Sequence, residues 1–423
     1  MTTAAADEAN APPFMTDFRA DPETAAAWLR DADEAALRPY QLDLAHLNLV
    51  SVFGGEWSPE RVRATAVECT RAGLWGSWEH KAFLTRHCDR FSAAGPDEWP
   101  RLCPQENRLR GWEAAPAALR DGPAILCSFH YGAFRFLASD LVMAGRHVTQ
   151  PMGGPPYTMM ASLLDGYRGP LADRFRIVSV DDDATGLFQM ARALRKGEVV
   201  VVFVDGNRGI GGCWNEAGRV PLDFLGCPVR VKSGVARLAA TLGVPLVPVL
   251  VPRGEDGTGT VHFEPVIDPG RRLAGDEEKE FVARAMAGMY AAFEREVRAR
   301  PEQWEGSSFM HQWRVPANAG AEASTPPSEL DRCLEAGGRL RTDPTRVVAL
   351  SGTSSPVWTD VHTLKSFAAP EWAAEAFDRL SSERGIDRGW LAERAPDPLH
   401  RSKLLDLISR LVARRAVVVL EAA

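Results

Sequence analysis

Residues 122–130 read GPAILCSFH: a turn-forming Gly-Pro pair, a short apolar run and a histidine. This run divides two regimes of periodicity. Upstream, from Pro22 to about Leu119, apolar residues recur at helical spacing, in DPETAAAWLRDADEAALRPYQLDLAHLNLV and in SPERVRATAVECTRAGLWGSWEHKAFLTRHCDRF. The second stretch opens on Ser58 with Glu60 close behind, near the spacing at which a hydroxyl and a carboxylate cap a first helical turn. Downstream, GPAILCSFH, RHVTQP, FRIVSVD, GEVVVVFVD, VPLVPVLVPR and TVHFEPVID have the length and content of buried strands. YGAFRFLASDLVMAG, YTMMASLLDGYRG, ATGLFQMARALRKG, KSGVARLAATLG and EEKEFVARAMAGMYAAFEREVRAR read as the helices between them. Strands alternating with helices predict an α/β fold: a mostly parallel sheet flanked by helices, preceded by a helical region.

The 423 residues are enough for more than one core, and 45% apolar with 25% charged residues is ordinary for a globular protein. A net charge of −7 gives no global basic field for nucleic acid or anionic lipid. Seven cysteines (69, 88, 103, 127, 213, 227 and 333) are scattered and never spaced C-x-x-C, which points to reduced thiols and away from a disulfide framework or a zinc site. The opening MTTAAADEANAPPFM has neither a basic n-region nor an apolar core, and no run reaches the roughly 18 apolar residues of a membrane span. The expectation is a cytoplasmic protein without integral membrane association.

Residues 1–20 read as a disordered tail, 21–313 as the α/β domain with its helical region over 21–119, and 314–328 (RVPANAGAEASTPPS) as a linker. From 329 to 423, short strands (RVVALSG, PVWTDVH, SFAAP) precede helices at about 370–382, 388–394 and 398–413, and AVVVLEA closes the chain. This order predicts a small α+β, winged-helix-like domain. Its fourteen basic residues balance its fourteen acidic ones, so DNA is a poor partner for it.

Three segments carry candidate chemistry. His130 follows a strand, and carboxyl ends of sheet strands face the crevice where α/β proteins bind ligands. A following helix N-terminus would add a positive dipole there, so His130 is placed as a general base. The bland alternative is a histidine that packs at a strand end and bonds a backbone carbonyl. A second strand ends in Asp205, followed by DGNRGIGGCWNEAGRVPLDFLGCPVRVKSG. Its glycines at 206, 209, 211 and 212 match neither a dinucleotide fingerprint nor a P-loop, because CWNEAGRVPLDF reads as loop and turn; a mobile loop over a pocket fits them better. Arg208, Arg219, Arg230 and Lys232 form a basic edge, with Ser233 near a helix start, that suits a substrate phosphate or is simply a solvated rim. The third, RPEQWEGSSFMHQWRVP (300–316), holds Trp304, His311 and Trp313, which by residue type are packing anchors.

In order, ILCSFHYGAF, then FVDGNRG and VPLDFLGCPVRVKSGVARLAATLGVPLVPVLV, then PEQW and HQW, resemble the lipid A biosynthesis acyltransferase family of the lysophospholipid acyltransferase fold, over about residues 45–315. The resemblance implies acyl transfer from a thioester, acyl-CoA or acyl carrier protein, to a hydroxyl or amine. That thioester is a co-substrate, and no tightly bound cofactor or metal is implied. It makes His130 the base and Asp205 the counterpart of the family's central aspartate. In the family's His-x4-Asp/Glu motif an acid orients the imidazole; here that position is Arg135, which has donors only and cannot accept the imidazole proton. A backbone carbonyl or Asp205 remains as the acceptor. Asp140 is too far along a helix to serve. Arg135 would repel a second positive charge on His130 and could clamp a donor phosphate. Without the motif's acid, the expected acceptor is a nucleophilic amine or hydroxyl on a small or carrier-tethered metabolite, as in specialised metabolism.

The C-terminal stretches VWTDVHTLKSFAAPEWAAEAFDRL and LHRSKLLDLISRLVARRAVVVL are similar to PqqD-like winged-helix peptide-binding domains, which implies a carrier protein or peptide as a partner. Two other functions fit the same crevice: a non-catalytic module that holds acyl-carrier thioesters or peptides, and a transferase drawing on aminoacyl-tRNA. Loss of thiol release in a His130 variant, or sensitivity to RNase, separates them.

Overall fold

The computed structural model describes residues 21–34, 36–37, 39–167, 169–180, 185–206, 218–317, 325–351 and 356–420. The tail over 1–20 and Arg208, with Gly209, Gly211 and Gly212, lie outside the described residues. Among the described residues, 21–32 and 68–314 form one compact unit, and 33–67 with 315–420 form another.

The larger unit is built on a six-stranded sheet. Its strands are β1 (Ala124–Ser128), β2 (Val148–Met152), β3 (Phe175–Ser179), β4 (Val199–Phe203), β7 (Leu246–Leu250) and β8 (His262–Phe263), with a hairpin of β5 (Arg219–Phe224) and β6 (Cys227–Lys232) standing apart. The order is β8-β7-β1-β4-β2-β3, parallel throughout except for the short edge strand β8. All five residues of β1 and of β7 are buried, which is why these segments read as unbroken apolar runs. Each fully buried valine of the VVVV run in β4 contributes about 2 kcal/mol of transfer free energy. Helices cover the sheet: the part of α3 (Pro59–Ala94) from residue 68 onward, α4 (Leu137–Met143), α5 (Pro155–Asp165), α6 (Thr185–Arg195), α7 (Gly234–Leu242) and α8 (Gly275–Ala299). The α7 helix stops at Gly243, whose φ of 69° is the left-handed cap that glycine adopts freely.

Two expectations are corrected here. Residues 219–224, read as loop and turn, form β5 and pair over six positions with β6. The turn is Leu225-Gly226, both at positive φ (54° and 75°), the geometry of a tight hairpin; Leu in place of Asn before the glycine hid the signal. The helix after His130 starts late. Residues Phe134–Phe136 form a 3-10 turn and α4 begins at Leu137, because Gly132 (φ 62°) bends the chain back so that Ala133 N–H donates to Val251 O (2.8 Å). His130 therefore sits in a turn and not on a helix N-terminus.

The smaller unit contains two antiparallel sheets. In one, β9 (Arg339–Thr342) pairs with β13 (Val417–Leu420). In the other, β10 (Val347–Leu350), β11 (Val357–Asp360) and β12 (Ser366–Ala368) form a meander. Helices α9 (Pro327–Glu335), α10 (Ala374–Ser381), α11 (Arg388–Arg394) and α12 (Pro398–Ala413) close a core around Leu340, Trp358, Phe377, Leu391 and Ile408. Residues 33–67, read from sequence as part of the α/β domain, group with this unit. The α2 helix (Pro39–Phe53) buries Leu42, Ala45, Leu47, Leu49, Val50, Val52 and Phe53, so it is apolar nearly all round and needs cover on several sides. It packs on β10, and Asp43 accepts from Ser351 N–H at 2.7 Å.

Candidate active site

β1 and β4 are neighbours in register, with Ser128 opposite Phe203, so the residues just past their carboxyl ends meet. Asp205 is fully buried there. Its Oδ1 lies 2.8 Å from His130 Nδ1, and both of its oxygens lie 3.1 Å from His130 N–H. A carboxylate only accepts, so the proton of the neutral imidazole sits on Nδ1 and the Nε2 lone pair is left for chemistry. Of the two acceptors left open by the sequence, the geometry selects Asp205. The His130 side chain keeps 22% of its surface exposed, so a substrate can reach it.

Aromatic rings flank the imidazole. Phe134 and Phe309 meet it edge-on at 4.9 and 5.0 Å, and Phe203 is tilted at 5.1 Å. Gly206 presents no side chain beside Cε1, where a Cβ would sit 3.4 Å away. Behind the dyad, Tyr290 O–H donates to Val204 O at 3.2 Å, and burial pushes that phenol far up in pKa, so it stays neutral. The collar is apolar, which strengthens the His–Asp interaction.

The PEQWEGSSFMHQW segment forms the other wall. Trp304 and Trp313 are fully buried; Trp304 meets Phe224 and Phe293 edge-on, and Trp313 is tilted against Phe224. Trp304 bridges Tyr131 as an antiparallel pair, and Gly306 N–H donates to His130 O at 3.0 Å. Packing was the expected role for the tryptophans. The residues between them, Glu305, Gly306 and Phe309, carry the contacts to the site and were missed from sequence. Their one sequence signal is the small Gly-Ser-Ser run enclosed by the anchors. His311 is held neutral, its pKa pushed down to about 4 by burial and then by Arg314.

The remaining candidates are dispersed. Arg135 does not stand as an open phosphate clamp: both its terminal nitrogens donate to Glu305. Ser233 is buried and its hydroxyl donates to Gly218 O at 2.7 Å, closing the base of the hairpin. Arg230 and Lys232 lie two apart on β6, Arg230 exposed and Lys232 partly so. Asp140, excluded as the partner of His130, instead accepts from Arg108 N–H, Leu109 N–H and the Trp112 indole at 2.9–3.2 Å.

Comparison with known proteins bears on this geometry. A search of curated proteins finds no match for the chain. Residues 116–314, which hold both members of the dyad and the wall that contains Glu305, match the model of the bacterial lipid A biosynthesis acyltransferase family. None of the described helices is long and apolar enough to cross a membrane. The α/β sheet with its His–Asp pair at adjacent strand ends thus lies within the segment of the chain that is similar to the lipid A biosynthesis acyltransferase family.

Proposed function

We propose that this protein transfers an acyl group from a thioester donor, acyl-CoA or acyl carrier protein, to an amine or hydroxyl on a diffusible or carrier-tethered metabolite. The observation that carries the reading is the 2.8 Å contact between His130 Nδ1 and buried Asp205. His130 Nε2 takes the acceptor's proton as its oxygen or nitrogen attacks the thioester carbonyl. The carbon–sulfur bond then breaks, and the imidazolium returns the proton to the departing thiolate. Asp205 steadies the imidazolium through the Nδ1 contact. With the acid supplied by Asp205, a hydroxyl acceptor is served as well as an amine, so the arginine at 135 no longer argues for an acceptor that needs little activation.

Arg230 and Lys232, with Arg208, are proposed to meet the phosphates of the donor. The smaller unit, with its strand–helix–helix–helix–strand order similar to PqqD-like domains, is proposed to recruit the carrier or a peptide. The full chain is tested against a panel of acyl-CoA and acyl-carrier donors, with free thiol and the intact mass of products recorded. Thiol release that His130→Ala lowers by 100-fold or more, about 3 kcal/mol of barrier, supports the reading. Turnover kept within about threefold in that variant, under 1 kcal/mol, refutes His130 as the base.

A further inference from the structure

Where the family pattern places a carboxylate five residues after the histidine, this chain has Arg135. A carboxylate nevertheless meets the side chain at that position. The guanidinium of Arg135 donates through both terminal nitrogens to the two oxygens of Glu305, 170 residues later. The α3 helix makes room for the pair with glycines: a Cβ at Gly76 would lie 2.8 Å from Arg135 Nη1, and one at Gly73 would lie 3.1 Å from Glu305 Cγ. The guanidinium carbon also lies 4.5 Å from the centre of the Phe134 ring, the same ring whose contact with the His130 imidazole is 4.9 Å. Nearby His80 adds no positive charge, since burial and then Arg135 push its pKa down to about 3.

Glu305 stands between the two residues that hold the backbone of the site. Trp304 bridges Tyr131, and Gly306 N–H donates to His130 O at 3.0 Å. The same 3-10 turn carries Phe309 to 5.0 Å from the imidazole. We propose that Arg135 and Glu305 are a positioning pair: they clamp residues 304–309 onto the turn at His130 and so fix the imidazole on Asp205 without touching it. The kinetic part of this inference rests on the acyl-transfer reading; the structural part does not, because the tautomer of His130 can be read without turnover.

The test uses the full-length chain as wild type, Arg135→Glu, Glu305→Arg, the double reversal, and Arg135→Lys, which keeps the charge but loses the two-pronged fork. Two readouts are taken. Imidazole 15N shifts, assigned with His130→Gln, report the tautomer. The kcat and KM are measured for whichever acyl-CoA supports thiol release. The expectation is a single Nδ1–H tautomer in the wild type, mixed tautomers in each single reversal, and kcat lowered about 10- to 100-fold with KM within about threefold, as for a misplaced reacting group. The double reversal should regain both tautomer and kcat. If the single reversals do not fold, Arg135→Lys decides the matter: an unchanged tautomer and kcat there overturn the proposal. A double reversal that regains the tautomer but leaves KM for the acyl-CoA raised tenfold or more also overturns it, since Arg135 would then be binding the donor. A wild type that releases no thiol, yet whose tautomer follows the reversals, supports the positioning pair while refuting acyl transfer.

Discussion

Gly306 lies against Asp205 so closely that a Cβ added to it would fall inside any real carbon–oxygen contact with Asp205 Oδ2, and 3.0 Å from the Trp304 indole nitrogen. The glycine is required by this close approach, not by its backbone angles. Its N–H also fixes the carbonyl of His130. Gly306→Ala must therefore push apart a wall and a dyad that share one rigid corner. The expected outcome is a fall in kcat of about 100-fold, as for a displacement of about 1 Å at the reacting centre, with the chain still folded. Steady-state kinetics beside a thermal melt checks it; unchanged kcat would show that residues 304–306 have no hold on the dyad.

Asp205→Asn keeps the shape of the buried side chain and removes only the charge. The amide can turn an N–H toward Nδ1, which moves the imidazole proton to Nε2 and leaves no base where the substrate arrives. Turnover should fall on the order of 10³-fold or more, with KM for the donor little changed. The rate should not return at high pH, because the fault is the tautomer and not the protonation state.

The sheet was legible because buried strands such as AILCS and LVPVL are apolar without interruption, and all six of its strands coincide with runs read from the sequence. His130 and Asp205 were each legible as strand-end residues. Their partnership is less so, because nothing in a linear sequence says that the strand after residue 198 lies beside the one after 123. Glu305 was invisible for a related reason. Its role depends on two glycines in α3 and an arginine 170 residues upstream, a coincidence of three elements that no local spacing records. The grouping of residues 33–67 with the C-terminal unit escaped the reading likewise, since an apolar helix does not name the surface that covers it.

At the hairpin turn, Gly226 has φ 75° and nothing within 4 Å of where a Cβ would be. Steric clash with neighbours is therefore absent, and only the backbone conformation resists a side chain. Gly226→Ala should lower the stability of the larger unit by about 1 kcal/mol, the ordinary cost of a left-handed L-residue. Chemical denaturation measures it. A loss several times larger would mean that the hairpin contacts more than its own strands.

His87 gives the fold an acid-sensitive point. The side chain is fully buried, stacks on Phe91 at 4.3 Å, and neither ring nitrogen has a hydrogen-bond partner among the described residues. Burial, with Arg90 nearby as the smaller cause, pushes its pKa down to about 4 from the usual 6.5. In the unfolded chain the ring takes a proton as pH falls through 6.5, whereas in the folded chain it stays neutral until about 4. The unfolded state thus binds more protons across this window, and stability is lost as pH drops. The full contribution is present above pH 6.5; by pH 4 about 3 kcal/mol has gone. His87→Leu removes the titrating group and two unsatisfied nitrogens, so its stability should change less between pH 7 and pH 4 than that of the wild type, by about that amount. Denaturation series at both pH values, wild type against variant, check the difference. An equal pH dependence in the two proteins would place the acid sensitivity elsewhere, His80 and His311 being half-buried imidazoles in the same unit with lowered pKa values.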